Sequence, residues 1–218
     1  MRVAVMQPYF YPYAGYFRLI AAVDLFLVFD CVQFPRRGRV HRAPLPQDHG
    51  GGWLTLPLAR QPRDTRIRDI RLSADRDRLW QARLARLPWL GDGPLAAALA
   101  PPLPERLLPF LRDHLRRVCA RLGIATPLRP SSDFAIDPGL KAQARVIALA
   151  RAAGATEYWN LPGGRALYDP AGFAAAGLGL HFLPPYAGPH LSMLHALATT
   201  DPEALRRDVR QGAERGAP

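Results

Sequence analysis

A chain of 218 residues that is 49% hydrophobic and 22% charged can bury a sizeable core, which excludes wholesale disorder and favours one α/β domain over residues 1–218. Its 23 prolines and 18 glycines stay below the ~25–30% of low-complexity chains, and no apolar run approaches the ~18 residues that cross a bilayer. Gln7 and Pro8 cut short the apolar start, so no signal peptide is expected, and Cys31 and Cys119 make neither a disulfide scaffold nor a zinc site; a cytoplasmic protein without membrane insertion is the expectation.

In chain order, Arg2-Val-Ala-Val-Met6 reads as a buried first strand. Residues 14–23 carry apolar side chains at helical spacing, and Leu25-Phe-Leu-Val-Phe29 is a second buried strand ending at Asp30. Strand, helix and strand in thirty residues make a βαβ unit, hence a parallel sheet covered on both faces. Residues 53–58 alternate as a strand that Pro57 pushes towards an edge, and residues 67–72 form a weaker strand. Helices are expected over 76–87 and 105–122, so that residues 74–130 form a helical insert lobe. A helix over 140–153 stopped by Gly154, a strand over 156–160, a short helix over 170–176 and a strand over 178–183 follow. Asp201-Pro-Glu203 opens a last helix running to about residue 211. The expectation is a three-layer α/β domain in which both halves of the chain contribute to one parallel sheet.

The formal charge is +11, and every basic residue except Lys141 is arginine. The excess lies in residues 31–90, whereas residues 137–205 are close to neutral. Arginine in place of lysine is also what a GC-rich genome would give; the one-sided distribution suits an anionic partner such as a nucleotide, a sugar nucleotide or RNA.

Three loops, each after an expected strand, hold the candidate site residues, because ligands of parallel α/β sheets bind outside the carboxyl ends of the strands. The first, Met6-Gln-Pro-Tyr-Phe-Tyr-Pro-Tyr-Ala-Gly-Tyr-Phe17, offers Gln7 for polar contacts, Tyr9 and Tyr16 for stacking, and Gly15 for close approach at a helix N-terminus. A plain apolar plug or a dimer surface is the alternative there. The second, residues 30–42, offers Asp30 as a general base, His41 as a proton shuttle, Gln33 for orientation, and Arg37 and Arg42 as a phosphate clamp. Cys31 is better suited to packing than to attack. The third, around Tyr158, Asn160, Gly163 and Gly164, offers polar groups and a glycine pair that makes either an anion nest or a plain turn. In a fourth loop His190 and Ser192 are polar groups with no obvious packing duty, and His190 is a further substrate-binding candidate. Histidines 41, 49, 114, 181, 190 and 195 show no metal-binding spacing, and His114 and His195 read as helix-surface residues. No nucleotide- or cofactor-binding signature is found, so no cofactor is expected.

The pattern Gln7-Pro-Tyr-x-x-Pro-x-x-Gly-Tyr-Phe17, then Asp30-x-Val-Gln-Phe34 with basic residues following, then Trp53-x-x-x-Pro57, resembles the WbqC-like family of bacterial proteins. Gly154-Ala-x-x-Tyr158, Gly163-Gly164-x-x-x-Tyr168 and Phe173 fit the same pattern. The resemblance implies a place in gene clusters for O-antigen or other surface polysaccharides, with transfer of an amino acid or acyl group to an amino sugar as a suggested activity. His41-Arg42 replaces an expected asparagine-arginine pair, and His195 stands at an expected acid, so the transferred substrate does not carry over. The start of the chain is also laid out like that of the HIGH-signature nucleotidylyltransferases, with Tyr16-Phe17 where the second histidine of that signature falls; this similarity implies a Rossmann-like fold and no adenylate chemistry.

Together these features predict a transferase acting on a phosphate-bearing activated substrate, with a sugar nucleotide, an amino sugar or an aminoacyl donor such as aminoacyl-tRNA as the substrate class. The alternatives are an RNA- or carrier-binding module and a non-catalytic scaffold of a biosynthetic complex.

Overall fold

The computed structural model describes residues 1–47 and 51–214. Five strands, β1 (Arg2–Met6), β2 (Leu25–Val28), β5 (Leu128–Pro130), β6 (Glu157–Asn160) and β7 (Gly179–Phe182), form one sheet in the order β5-β2-β1-β6-β7. Every pairing in it is parallel. Helices cover both faces, which makes the fold a Rossmann-like three-layer α/β structure.

The layers follow from the period of two along each strand. Val3 and Val5 of β1 join Leu25, Leu27 and Tyr158 in an apolar cluster with Val146 and Leu149 of α5 (Ala142–Ala152) and Phe173 of α6 (Pro170–Ala175). Ala4, Phe26, Val28 and Trp159 point the other way, into a larger cluster with α1 (Ala14–Ala22), α4 (Leu107–Leu122) and α8 (Pro202–Glu214). That second cluster is continuous with Trp80 of α2 (Arg76–Leu84) and Leu99 of α3 (Pro94–Leu99).

Several elements differ from expectation for identifiable reasons. Residues 53–55 are extended but lie outside the main sheet: β4 (Trp53–Thr55) pairs antiparallel with β3 (Arg42–Pro44) in a separate two-stranded ribbon. Residues 67–72 make a single 3-10 turn, Ile67–Asp69, and isolated bridges, because the buried Ile67, Ile70 and Leu72 dock on the core with no continuous ladder partner. β5 was not expected because Pro127 precedes it and Pro130 ends it; an edge position tolerates proline. α7 (Met193–Thr199) hides behind the Pro189-His-Leu-Ser loop, although Ser192 caps it by accepting from the His195 N–H at 3.4 Å. His114 and His195 are buried, not surface residues, at 2% and 9% exposure. His114 falls on the apolar stripe of α4 that Phe110, Leu111, Leu115 and Val118 define at 3.6-residue spacing.

Candidate functional site

The strand order reverses at β1: the chain leaves it towards β2 on one side, while β6 leads to β7 on the other. A crevice for ligands is expected outside the carboxyl ends of β1 and β6. Because the sheet is parallel throughout, the loops after β1, β2, β6 and β7 all emerge on this one edge.

The aromatic loop after β1 divides its rings between core and surface. Phe10 and Tyr11 are anchors at 1% and 2% exposure. The Tyr11 N–H donates to His114 Nε2 at 3.1 Å and its hydroxyl donates to the Leu99 carbonyl, which holds Tyr11 in a left-handed conformation at φ 41°. Tyr16, expected as a stacking surface, is fully buried; its hydroxyl donates to the Gln7 carbonyl at 2.8 Å, and burial raises its pKa well above the ordinary value. Tyr9 and Tyr13 stay half-buried. The Tyr13 ring stacks on His190 at 4.4 Å and lies 5.6 Å from Tyr186. Gly15 sits directly beneath: a Cβ there would come within 2.3 Å of the Tyr13 ring and 3.0 Å of Tyr186 Cβ, so its lack of a side chain serves this ring cluster.

The loop after β2 is stitched to the aromatic loop by the Phe10 N–H, which donates to the Arg39 carbonyl at 2.8 Å. The α7 start is stitched to it by the Met193 N–H, which faces the carbonyls of Tyr11 and Pro12. Arg39 stands close enough to Tyr9 and Tyr13 to pull both phenol pKa values down against the larger, opposing effect of burial. Arg39 and Arg42 both lie over the Trp53 ring, at 5.8 and 4.2 Å from its centroid. Arg42 also donates to the Arg37 carbonyl, and the Arg37 side chain is exposed.

Asp30 and His41 are not placed for the acid–base work expected of them. Asp30 has no exposed surface, and its carboxylate accepts from Ser131 Oγ at 2.8 Å, Ser132 N at 2.9 Å and Ser132 Oγ at 2.7 Å. It clamps the loop after β2 to the turn after β5. His41 is 8% exposed and packs on Phe34 at 5.1 Å. Burial, then the charges of Arg42 and Arg83, push its pKa down to about 4, so it is neutral at pH 7. Gln33 is exposed and donates to the Arg63 carbonyl at 2.7 Å.

The end of β6 and the turn after it form a buried pin on the opposite face of the sheet. Asn160 Nδ2 donates to the hydroxyls of Tyr158 and Tyr168 at 3.1 and 3.2 Å, its Oδ1 accepts from the Leu161 N–H at 2.7 Å, and the two hydroxyls lie 3.0 Å apart. The Gly163–Gly164 pair makes no anion nest: neither glycine has a positive φ, and both lie in the 3-10 turn Pro162–Leu167. Gly164 is small because Asn160 Nδ2 would be 2.9 Å from its Cβ.

The edge thus brings together Gln7, Tyr9, Tyr13, Arg39, Arg42, Trp53 and His190, and leaves Asp30, Gln33, His41, Tyr158 and Asn160 in other surroundings. Arg39, Tyr13 and Trp53 were not among the expected site residues; the aromatic run of residues 9–17 and the arginine run of residues 36–42 were the available signals for the first two. Among the described residues no group of three or more His, Cys, Asp or Glu side chains is placed to hold a metal, and His49 lies outside the described residues. No helix of the described residues is long and apolar enough to cross a membrane.

No solved structure matches the chain. It is 30% identical over 183 residues to a Mycobacterium tuberculosis (strain ATCC 25618 / H37Rv) protein named "Uncharacterized protein Rv1507c", a match that covers 77% of this chain and 75% of that one. The profile of the WbqC-like protein family matches residues 7–87 and 94–206, a span that contains the aromatic loop, the arginine-bearing loop after β2 and the pin after β6. With its site loops and four of the five sheet strands, β2, β5, β6 and β7, inside that match, the chain belongs to the WbqC-like protein family.

Proposed function

We propose that the carboxyl edge of the sheet binds a phosphate-bearing activated substrate (a sugar nucleotide, an amino sugar or an aminoacyl donor) and that the protein is a transferase of surface-polysaccharide or related biosynthesis. The observation that carries this reading is the gathering of Tyr9, Tyr13, His190, Arg39, Arg42 and Trp53 beside the point where the strand order reverses. In it, Tyr13 with His190 and Tyr9 supply ring faces for a base or sugar, and Arg39 with Arg42 meet the phosphates. His190, exposed at this edge, takes the proton-handling role that His41 is too buried to fill. The test is thermal shift against UDP-, GDP-, dTDP- and CMP-linked sugars. A ligand at about ten times its Kd adds ~1.4 kcal/mol, a rise of ~3–6 °C for a chain of this size. Arg39→Ala and Tyr13→Ala should each abolish that rise. A flat response to the whole panel overturns the reading.

A second reading, a carrier- or RNA-binding module, is favoured by one observation: Trp53 is 43% exposed with two arginines over its ring. Its mark is affinity for RNA that falls steeply with salt, whereas a small-ligand pocket gives a shallow slope.

A further inference from the structure

We propose that the groove between the loop after β2 and residues 58–70 is a second ligand site, built for a small monoanion with an aryl or short acyl body. This inference does not depend on the substrate reading above, because the groove is formed by other side chains.

The groove has fixed walls. The Phe34 N–H donates to the Thr65 carbonyl and the Ile67 N–H to the Val32 carbonyl, each at 2.9 Å, while Gln33 and Arg36 side chains donate to the carbonyls of Arg63 and Gln61, each at 2.7 Å. Gln61 is itself pinned, donating to the Ala59 and Arg71 carbonyls and accepting from the Arg71 N–H at 2.8 Å.

Between these walls lies a cavity of about 180 Å³, lined by Phe34, Arg36, His41, Leu58, Arg60 and Ile70 among others. Phe34 and Ile70 are 7% and 2% exposed and give it an apolar floor. Engineered apolar cavities of ~150 Å³ in protein cores accommodate benzene, so one six-membered ring or an acyl chain of similar volume fits here. The rim is cationic: Arg36 and Arg60 line the cavity, Arg63 lines the shallower depression that continues past Phe34, and no acidic side chain lines either. Arg60 and Arg63 have no ion pair among the described residues. A guanidinium with no carboxylate of its own favours a carboxylate from outside.

His41 adds a polar edge to the apolar floor. Its imidazole lines the cavity at 8% exposure, and its buried Nδ1 has no hydrogen-bond partner among the described residues. Held neutral, the ring adds no charge to the cavity and can donate to an anionic oxygen through an N–H.

Calorimetric titration of the full chain with sodium benzoate and sodium hexanoate tests the proposal, with benzylammonium as the matched cation. Both anions should bind with Kd on the order of 1 mM, as their few heavy atoms allow, and benzylammonium should not bind. Arg60→Glu, at an exposed position, should weaken benzoate at least ~10-fold, and Leu58→Trp should abolish binding by filling the cavity. Tyr13→Ala should leave benzoate affinity unchanged, which separates this groove from the edge site. Equal binding of benzoate and benzylammonium, or an Arg60→Glu variant that folds and binds benzoate as before, overturns it, as does the absence of heat with both anions.

Discussion

Asp30 shows how one residue signal serves two different chemistries. A carboxylate at the end of a buried strand suits a general base, but Ser131 and Ser132 supply three hydrogen bonds to it, and with no exposed surface it is out of a substrate's reach. Asp30→Asn faces the Ser132 N–H and two hydroxyls with a single acceptor oxygen, so it should cost about 1–3 kcal/mol in urea unfolding. Ser132→Ala, which removes one donor, should cost about 1 kcal/mol in the same measurement. His114 and His41 make a second prediction at this scale. Burial pushes their pKa values down to about 3 and about 4, whereas in the unfolded chain both take up a proton near ~6.5. Between those limits the unfolded state binds more protons, so their contribution to stability is complete above pH 7 and is lost as the pH falls towards 4. Each histidine gives a slope of about 1.4 kcal/mol per pH unit in that window. His114→Gln should halve the combined slope when unfolding is followed at pH 7, 6 and 5; an unchanged slope would mean that His114 is already protonated in the fold.

At the scale of elements, the turn after β6 is shaped by packing. Gly164 approaches Asn160, which its three hydrogen bonds hold in place, whereas a Cβ on Gly163 would meet nothing within 4 Å. Gly164→Ala should therefore cost about 1–3 kcal/mol by overpacking, and Gly163→Ala should stay within about 0.5 kcal/mol of the parent in the same unfolding assay. Equal losses at the two positions would refute the pin. The βαβ start, α4 and α5 were legible in the sequence because apolar periodicity and glycine stops are properties of neighbouring residues. The β3–β4 ribbon was not: residues 53–55 show that they are extended, not which strand they pair with.

At the scale of the whole molecule, the C-terminal helix closes the core over α1. Leu205 and Val209 of α8 are 6% and 0% exposed, and Arg206 Nε donates to the Arg121 carbonyl of α4 at 2.7 Å. Removing the chain from residue 202 onwards forfeits ~3–6 kcal/mol for those two side chains alone, a large part of the ~5–15 kcal/mol that holds a typical domain. The truncated chain should lose its cooperative thermal transition by circular dichroism; a sharp melt within a few degrees of the parent would show that α8 is dispensable.

Sequence by itself determined the alternation of buried strands and amphipathic helices, the parallel sheet and the family pattern in its loops, because each depends on residues close together in the chain or on motifs of a few positions. It also placed the rich loops at the carboxyl edge, since strand direction follows from the βαβ connection. Only the tertiary structure decided what each polar side chain in those loops does. Asp30 meets Ser131 and Ser132 from about a hundred residues away, His41 meets Phe34 across a turn, and Arg39 and Arg42 meet Trp53 across the ribbon. A carboxylate, an imidazole or a guanidinium takes its role from the partner that desolvates or pairs it, and such partners are set by packing between distant segments, which local pattern does not encode.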